Sequence, residues 1–281
     1  MTTIFLGLIA AVCWGLHDIT IRYLSRSVPL QGALLVVLTA GLVFQTVALA
    51  TVGTFRLPQG PAFWLSIGSG IAFLCASLGL YYAFERGPVR LVSPIIGAYP
   101  VASIVFDILS GTAITLDQIL AVLAIVAGVG LVASLADKSD EQVPPKGLTI
   151  VLSLFSALGF ATTFKLGQMA AALDGEMQST LLARVTALGL LITLILLRRS
   201  PVRLASSAAV PLVIMGLLDG VALLAVLSAG RFDNPHFASV TSSMFGLFTI
   251  LLAWALLKER MTPPQWAGCL LAFLAIGYLA S

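Results

Sequence analysis

Ten long apolar runs, each close to the length needed to cross a bilayer, dominate this chain of 281 residues. They lie near 4–23, 31–52, 62–84, 91–110, 118–136, 147–170, 179–197, 208–230, 237–257 and 265–280. A hydrocarbon core about 30 Å thick is spanned by roughly 20 helical residues, and within it every backbone polar group must be bonded inside its own segment. The runs are continuously apolar instead of alternating, so they predict helices and not barrel strands. Charged residues make up only 10% of the sequence, where a soluble domain carries roughly 25%. The fold class expected is therefore an all-α membrane protein with ten transmembrane helices. Little chain remains for a nucleotide-binding module or a catalytic insert, and a scattered net charge of +3 offers no footprint for nucleic acid. No Lys or Arg precedes the first run, which reads as a retained helix and not a cleavable signal.

The stretches between runs are charged or proline-bearing turns, as at Arg26 to Pro29, Glu85 to Pro88 and Lys258 to Pro264. Only residues 137–146 resemble a linker, and they fall near the midpoint. This divides the chain into a first five-helix repeat at 1–136 and a second at 147–281. Sliding one half over the other by 147 residues aligns Pro88 with Pro235, Leu109 with Leu256, Thr115 with Thr262, Gln118 with Gln265 and Gly130 with Gly277. Five is odd, so the second repeat must enter the membrane from the opposite face, giving two inverted repeats of the kind found in secondary transporters. Lys and Arg concentrate at the turns after the odd-numbered helices, which predicts that those turns are cytoplasmic and both termini outside.

Polar groups within the runs carry the functional information, because burying a charge in hydrocarbon costs a few kcal/mol on insertion scales. Asp219 lies deepest, between Gly216 and Gly220, and reads equally as a packing hydrogen bond or as a proton or substrate group. Lys165 and Arg184 are the intramembrane cations, and Lys165 is grouped with Asp219 as a coupling or cavity charge. His17 and Asp18, being consecutive, project about 100° apart on a helix, so they are not expected to converge. Asp18 is instead expected to pair with Arg22 one turn on.

Ser239, Ser242, Ser243, Gly246 and Thr249 recur at helical spacing on the ninth run. That stripe either lines a cavity or glues helices together. At the matching place the fourth run has Tyr99 and Pro100, and the proline frees a carbonyl one turn back. Trp14, Tyr81, Tyr82, Tyr99, Phe160 and Phe164 are the aromatic residues able to stack on a solute, Tyr82 and Tyr99 foremost, whereas Gly7, Ala11 and Gly15 form a packing ridge. Cys13, Cys75 and Cys269 are dispersed, so neither a disulfide framework nor a metal cluster is expected. With two histidines at opposite ends of the repeat, no nucleophile–base pair is expected either. The chain reads as a non-enzyme without cofactor or metal.

Trp14-Gly15, the turn Glu85 to Pro88, and the run Lys258-Glu259-Arg260-Met261-Thr262-Pro263-Pro264-Gln265-Trp266-Ala267-Gly268 with Gly277 together resemble the ten-helix EamA-type transporters of the drug/metabolite transporter superfamily. The last run looks like the recurrent Glu-x-Leu/Met-Thr-x-x-Gln-x-x-Gly signature of that group. In the first half the same place reads Gly111 to Gln118 and lacks the acidic residue. Within the superfamily the chain looks most similar to bacterial aromatic amino-acid exporters.

The resemblance implies a multi-pass protein of the inner (plasma) membrane that exports a small molecule, an amino acid or related metabolite. Transport would proceed by alternating access around a cavity formed by helices one, three, four, six, eight and nine, without an ATP site. Trp14, His17, Tyr82, Tyr99, Phe160, Ser239, Ser242, Ser243 and Gly246 are then the expected substrate-facing residues. The hydroxyl stripe would meet the amino or carboxylate group and the aromatic rings the side chain. Export of cationic drugs is the alternative, and it requires an intramembrane carboxylate. Oligomeric state is left open, with a monomer sufficient.

Overall fold

A computed structural model describes residues 2–52, 56–109, 115–135, 144–203, 206–229, 232, 238 and 241–279. Their helices are α1 (Thr2–Leu24), α2 (Leu30–Val52), α3 (Pro61–Arg86), α4 (Val89–Gly97), α5 (Tyr99–Leu109), α6 (Leu116–Ser134), α7 (Lys146–Asp174), α8 (Glu176–Arg198), α9 (Ser206–Ser228), α10 (Phe245–Leu256) and α11 (Pro263–Leu279). No described residue lies in a strand. Seven segments are long and apolar enough to cross a membrane, with α4 and α5 counted together, and Leu116–Val132 and Phe245–Leu256 are shorter apolar helices. Apolar side chains such as Leu123, Leu196, Leu197 and Val210 remain exposed on the outside of the bundle, as lipid-facing positions require.

The fourth run is not one continuous helix. It stops at Ala98, whose backbone leaves helical geometry, and resumes at Tyr99. Pro100 explains the position: it has no N–H to donate to the preceding turn and crowds the residue before it. The ninth run is interrupted as well, at Ser243 and Met244, before α10 begins. The two breaks pack on each other. A Cβ added to Gly97 would lie 3.4 Å from the Ser243 carbonyl, and one added to Gly246 would lie 2.9 Å from that of Ser93.

Helix pairing follows a pattern once α4 and α5 are treated as one unit. α3 lies along α7, as α1 lies along α9; α3 meets α8, as α9 meets α2; α1 meets α10, as α7 meets α4; and α6 pairs with α11. Exchanging each unit for the one five positions along reproduces these pairings, while α7 also packs on α8 without a like pairing of α1 with α2. Direction is visible too. Arg22, near the end of α1, donates to the carbonyl of Phe84, near the end of α3, so α1 and α3 finish on one face. Asp174, at the end of α7, accepts from the backbone N–H of Gln59, just before α3, so α7 finishes on the other.

Small residues allow these approaches. Ser69 donates to the Thr163 carbonyl (2.9 Å) and Ser156 to that of Ala76 (2.9 Å), stitching α3 to α7. Gly7 and Gly15 of α1 bring it against Ala238, Thr241 and Phe248, where a Cβ would come within 2.7–2.8 Å of a neighbour. The last helix of each half also starts in the same way. Gln118 Oε1 accepts from the Thr115 N–H (3.1 Å) and Gln265 Oε1 from the Thr262 N–H (2.9 Å), a side chain three residues on closing the helix start. That shared cap is the physical content of the aligned Thr and Gln pairs.

Candidate functional site: an aromatic cavity with a buried ion pair

Where α1, α2, α3, α7, α9 and the two broken units converge, they leave an internal cavity of about 40 Å³. At ~10–15 Å³ per water this holds roughly three water molecules, so the conformation is closed around the site. Rings form most of the wall. Phe164 contacts Trp14 (centroids 5.7 Å apart), Tyr99 (5.2 Å) and Phe160 (6.3 Å, near-parallel), and Phe245 meets Trp14 edge-on at 6.3 Å. Tyr81 and Phe73 from α3 complete the ring of aromatic residues.

Two carboxylates face this cavity. Asp219 is held by Arg184 Nη1, which donates to Oδ2 at 2.6 Å, and by Trp14 Nε1, which donates to Oδ1 at 3.1 Å. Arg184 and Asp219 are both buried, and their pair ties α8 to α9. A charge-assisted bond in such surroundings is among the stronger ones available. Gly41 on α2 makes the room, since a Cβ there would lie 2.7 Å from Arg184 Nη1. Asp18 Oδ1 lies 3.0 Å from His17 Nδ1, and Tyr81 Oη lies 3.3 Å from His17 Nε2. His17 thus bridges the two side chains, its Nδ1 toward the Asp18 carboxyl group and its Nε2 toward the Tyr81 hydroxyl. Asp18 Oδ2 has no partner among the described residues.

These contacts correct two expectations. Consecutive positions did not keep His17 and Asp18 apart, because their side chains bend toward one another. Asp18 is also not paired with Arg22, which turns outward to the Phe84 carbonyl (2.6 Å) and to Glu259 (3.5 Å). Glu259 in turn accepts from the backbone N–H groups of Val89 and Arg90, both at 3.3 Å. A carboxylate at the start of α4 is favoured by the unpaired amides there. The acidic residue of the signature run is therefore a brace between α1 and α4 on one face of the bundle.

Of the expected substrate-facing and cavity-charge residues, the structure brings Trp14, His17, Tyr99, Phe160 and Asp219 to the cavity, and with them Phe164 from the wider aromatic set. Tyr82 is not among the lining residues. It is half-buried and accepts from Gln31 Nε2 (3.3 Å), while Tyr81 faces inward in its place. Ser242 is buried behind the wall, its hydroxyl 3.1 Å from that of Tyr99. Ser243 is buried at the helix break, Gly246 packs on Ser93, and Thr249 donates to its own Phe245 carbonyl. None of that part of the stripe is among the residues lining this cavity, and Ser242 reaches it only through Tyr99. Lys165 is half-buried on α7 away from the lining, and Ser239 lies outside the described residues. Asp18, Tyr81, Phe73 and Arg184 were not among the expected site residues. For Arg184 a signal existed: a cation and an anion both inside spans, neither tolerable alone. Among the described residues no group of three or more His, Cys, Asp or Glu side chains converges as a metal site would require.

Comparison with known proteins agrees with this architecture. The model of the family described as EamA-like transporter family matches residues 1–134 and again residues 147–281. A solved crystal structure superposes with a TM-score of 0.75 over 99% of this chain and 96% of its own, at 14% sequence identity, which is a likeness of fold. No curated protein matches.

Proposed function

Because the chain belongs to the EamA-like transporter family, a family of the drug/metabolite transporter superfamily, we propose that this membrane transporter exports amino acids, aromatic or other large neutral ones, across the inner membrane. In this reading residues 1–136 and 147–281 are two inverted five-helix repeats joined by 137–146, ten spans in all, with the termini outside. The family match in two stretches, the exchange-symmetric helix pairing and the opposed courses of α1 and α7 support it.

One observation carries the substrate reading: a cavity walled by rings, with Asp18 and Asp219 on its wall and the Arg184 guanidinium behind Asp219. Such a wall suits a flat or branched apolar side chain, and the flanking charges suit a zwitterionic head. Trp14, Tyr81, Tyr99 and Phe160 meet the side chain, and His17, Asp18 and Asp219 the head group. A cavity this small admits solute only after the helices part. Rocking of the halves about the two interrupted helices provides the opening, the arrangement expected where discontinuous helices meet at a repeat interface.

The test is efflux from proteoliposomes loaded with labelled phenylalanine, labelled threonine or a quaternary-ammonium dye. Wild type should release phenylalanine faster than empty-vesicle controls, and Tyr99→Ala should abolish the acceleration. The unpaired Oδ2 of Asp18 at the cavity favours a second reading, export of cationic solutes. Release of dye alone, lost in Asp18→Asn, would replace the first reading with that one.

A further inference from the structure

A second, smaller cavity of about 20 Å³ lies beyond the aromatic wall and shares Phe73 and Phe164 with the first. Its other residues include Ser69 near the start of α3, Gly167 near the end of α7 and Ser179 near the start of α8. These places put it between the central cavity and the face where Asp174 meets Arg56 and Gln59. Its polar groups are unequally occupied. Ser69 donates to the Thr163 carbonyl, Thr163 to that of Gly159 and Thr180 to that of Glu176. Ser179 Oγ, by contrast, is buried with no partner among the described residues, and so are Arg184 Nε and Nη2.

Arg184 is 1% exposed, and only its Nη1 is engaged, by Asp219. Its Cζ sits 5.2 Å from the centre of the Phe73 ring, so the guanidinium also stands against the partition between the cavities. Two donor nitrogens of a fixed cation and one hydroxyl, all without a partner among the described residues and carried by side chains that line one small cavity, are complementary to a group that only accepts. A carboxylate is that group, and donors left unpaired in so apolar a place are costly.

We infer that Arg184 and Ser179 form a carboxylate subsite in this second cavity, taken up by the solute's carboxylate as it passes the Phe73–Phe164 partition. The inference rests on the amino-acid reading above for the identity of the solute, but not for the chemistry of the subsite. A zwitterion suits it best. Arg184 and Asp219 already cancel, so a carboxylate arriving with its own ammonium adds no net charge to the membrane interior.

The test is ligand-dependent thermal stabilisation of the purified, full-length protein in detergent, with phenylalanine, phenylalaninamide, benzoate and 3-phenylpropionate as probes. Phenylalanine should half-saturate at a concentration at least about tenfold below phenylalaninamide, as the loss of one charge-assisted bonding group predicts. Ser179→Ala should weaken phenylalanine about tenfold and shift the amide less than about twofold. Because Ser179 Oγ bonds to nothing else described, that variant should fold normally. Arg184→Lys keeps the charge beside Asp219 but loses the fork, and should lose the same discrimination.

Equal stabilisation by phenylalanine and its amide, unchanged in Ser179→Ala, overturns the subsite. If phenylalanine does not bind but benzoate or 3-phenylpropionate does, in a manner dependent on Ser179, the amino-acid reading falls and the subsite stands. If no carboxylate binds in that manner, the subsite falls, and ordered water is what satisfies these donors.

Discussion

At the scale of single residues, the Arg184–Asp219 pair with its Trp14 donor is costly to disturb from one side. Removing one partner of a buried pair leaves an uncompensated charge and typically costs about 3–5 kcal/mol, whereas replacing both by apolar residues is often close to neutral. Asp219→Asn is therefore expected to lower the unfolding temperature in detergent sharply, and Arg184→Met with Asp219→Leu to recover most of the loss. Recovery of stability without recovery of transport would separate the structural share of this pair from its share in handling solute. Residue identity was the least legible level in the sequence. Tyr81 and Tyr82 are equally aromatic, and a helix apolar all round has no polar face to say which of two neighbours turns inward. His17 and Asp18 looked divergent from their backbone directions alone, and only side-chain torsions bring them together. Asp219 was readable because one carboxylate in mid-span has few tolerable explanations. Arg184 was visible as an intramembrane cation, but nothing in the sequence joined it to Asp219.

At the scale of elements, helix lengths were legible because the bilayer sets them, and the shared Thr–Gln helix starts showed through as sequence matches for a local reason. The interruption at Ala98 was foreshadowed by Pro100. The one before α10 was not, since Ser243 and Met244 carry no proline and the break comes from packing against α4. Close helix contacts were partly visible as glycines, but a glycine alone does not say whether anything approaches it. Gly128 and Gly130 make the point. A Cβ on Gly128 would lie 2.4 Å from the Gly268 carbonyl, while one on Gly130 would meet nothing within 4 Å. Gly128→Ala is expected to push α6 from α11 and to destabilise by about 1–3 kcal/mol, as overpacking does. Gly130→Ala should be neutral or stabilising by up to about 1 kcal/mol, because it removes only backbone freedom. Thermal unfolding of the two variants side by side checks this. Since α6 and α11 contribute nothing to either cavity wall described here, surviving Gly128→Ala protein should keep its substrate preference.

At the scale of the whole molecule, polar contacts of unequal shelter tie the helices together on the two faces of the bundle. On one face Glu259 binds Arg22 and the first amides of α4 in a half-sheltered brace. On the other, Arg56 reaches Asp174 with its own side chain 65% exposed, and exposed pairs of this kind contribute about 0–1 kcal/mol. With Ser77→Cys as the single thiol in a background where Cys13, Cys75 and Cys269 are replaced, a membrane-impermeant maleimide reports entry to the cavity from each side. Glu259→Gln should speed labelling from the face of the 257–262 turn and Arg56→Gln from the face of Gly60, each without effect on the other. Equal acceleration from both faces in either variant would contradict two independent seals. The brace has no acidic counterpart in the first half, where position 112 holds Thr. Two halves of like fold thus carry contacts of unlike strength at their two faces. If the halves rock as proposed, the weakly held door opens more often unprompted, and the idle carrier waits mostly facing that side.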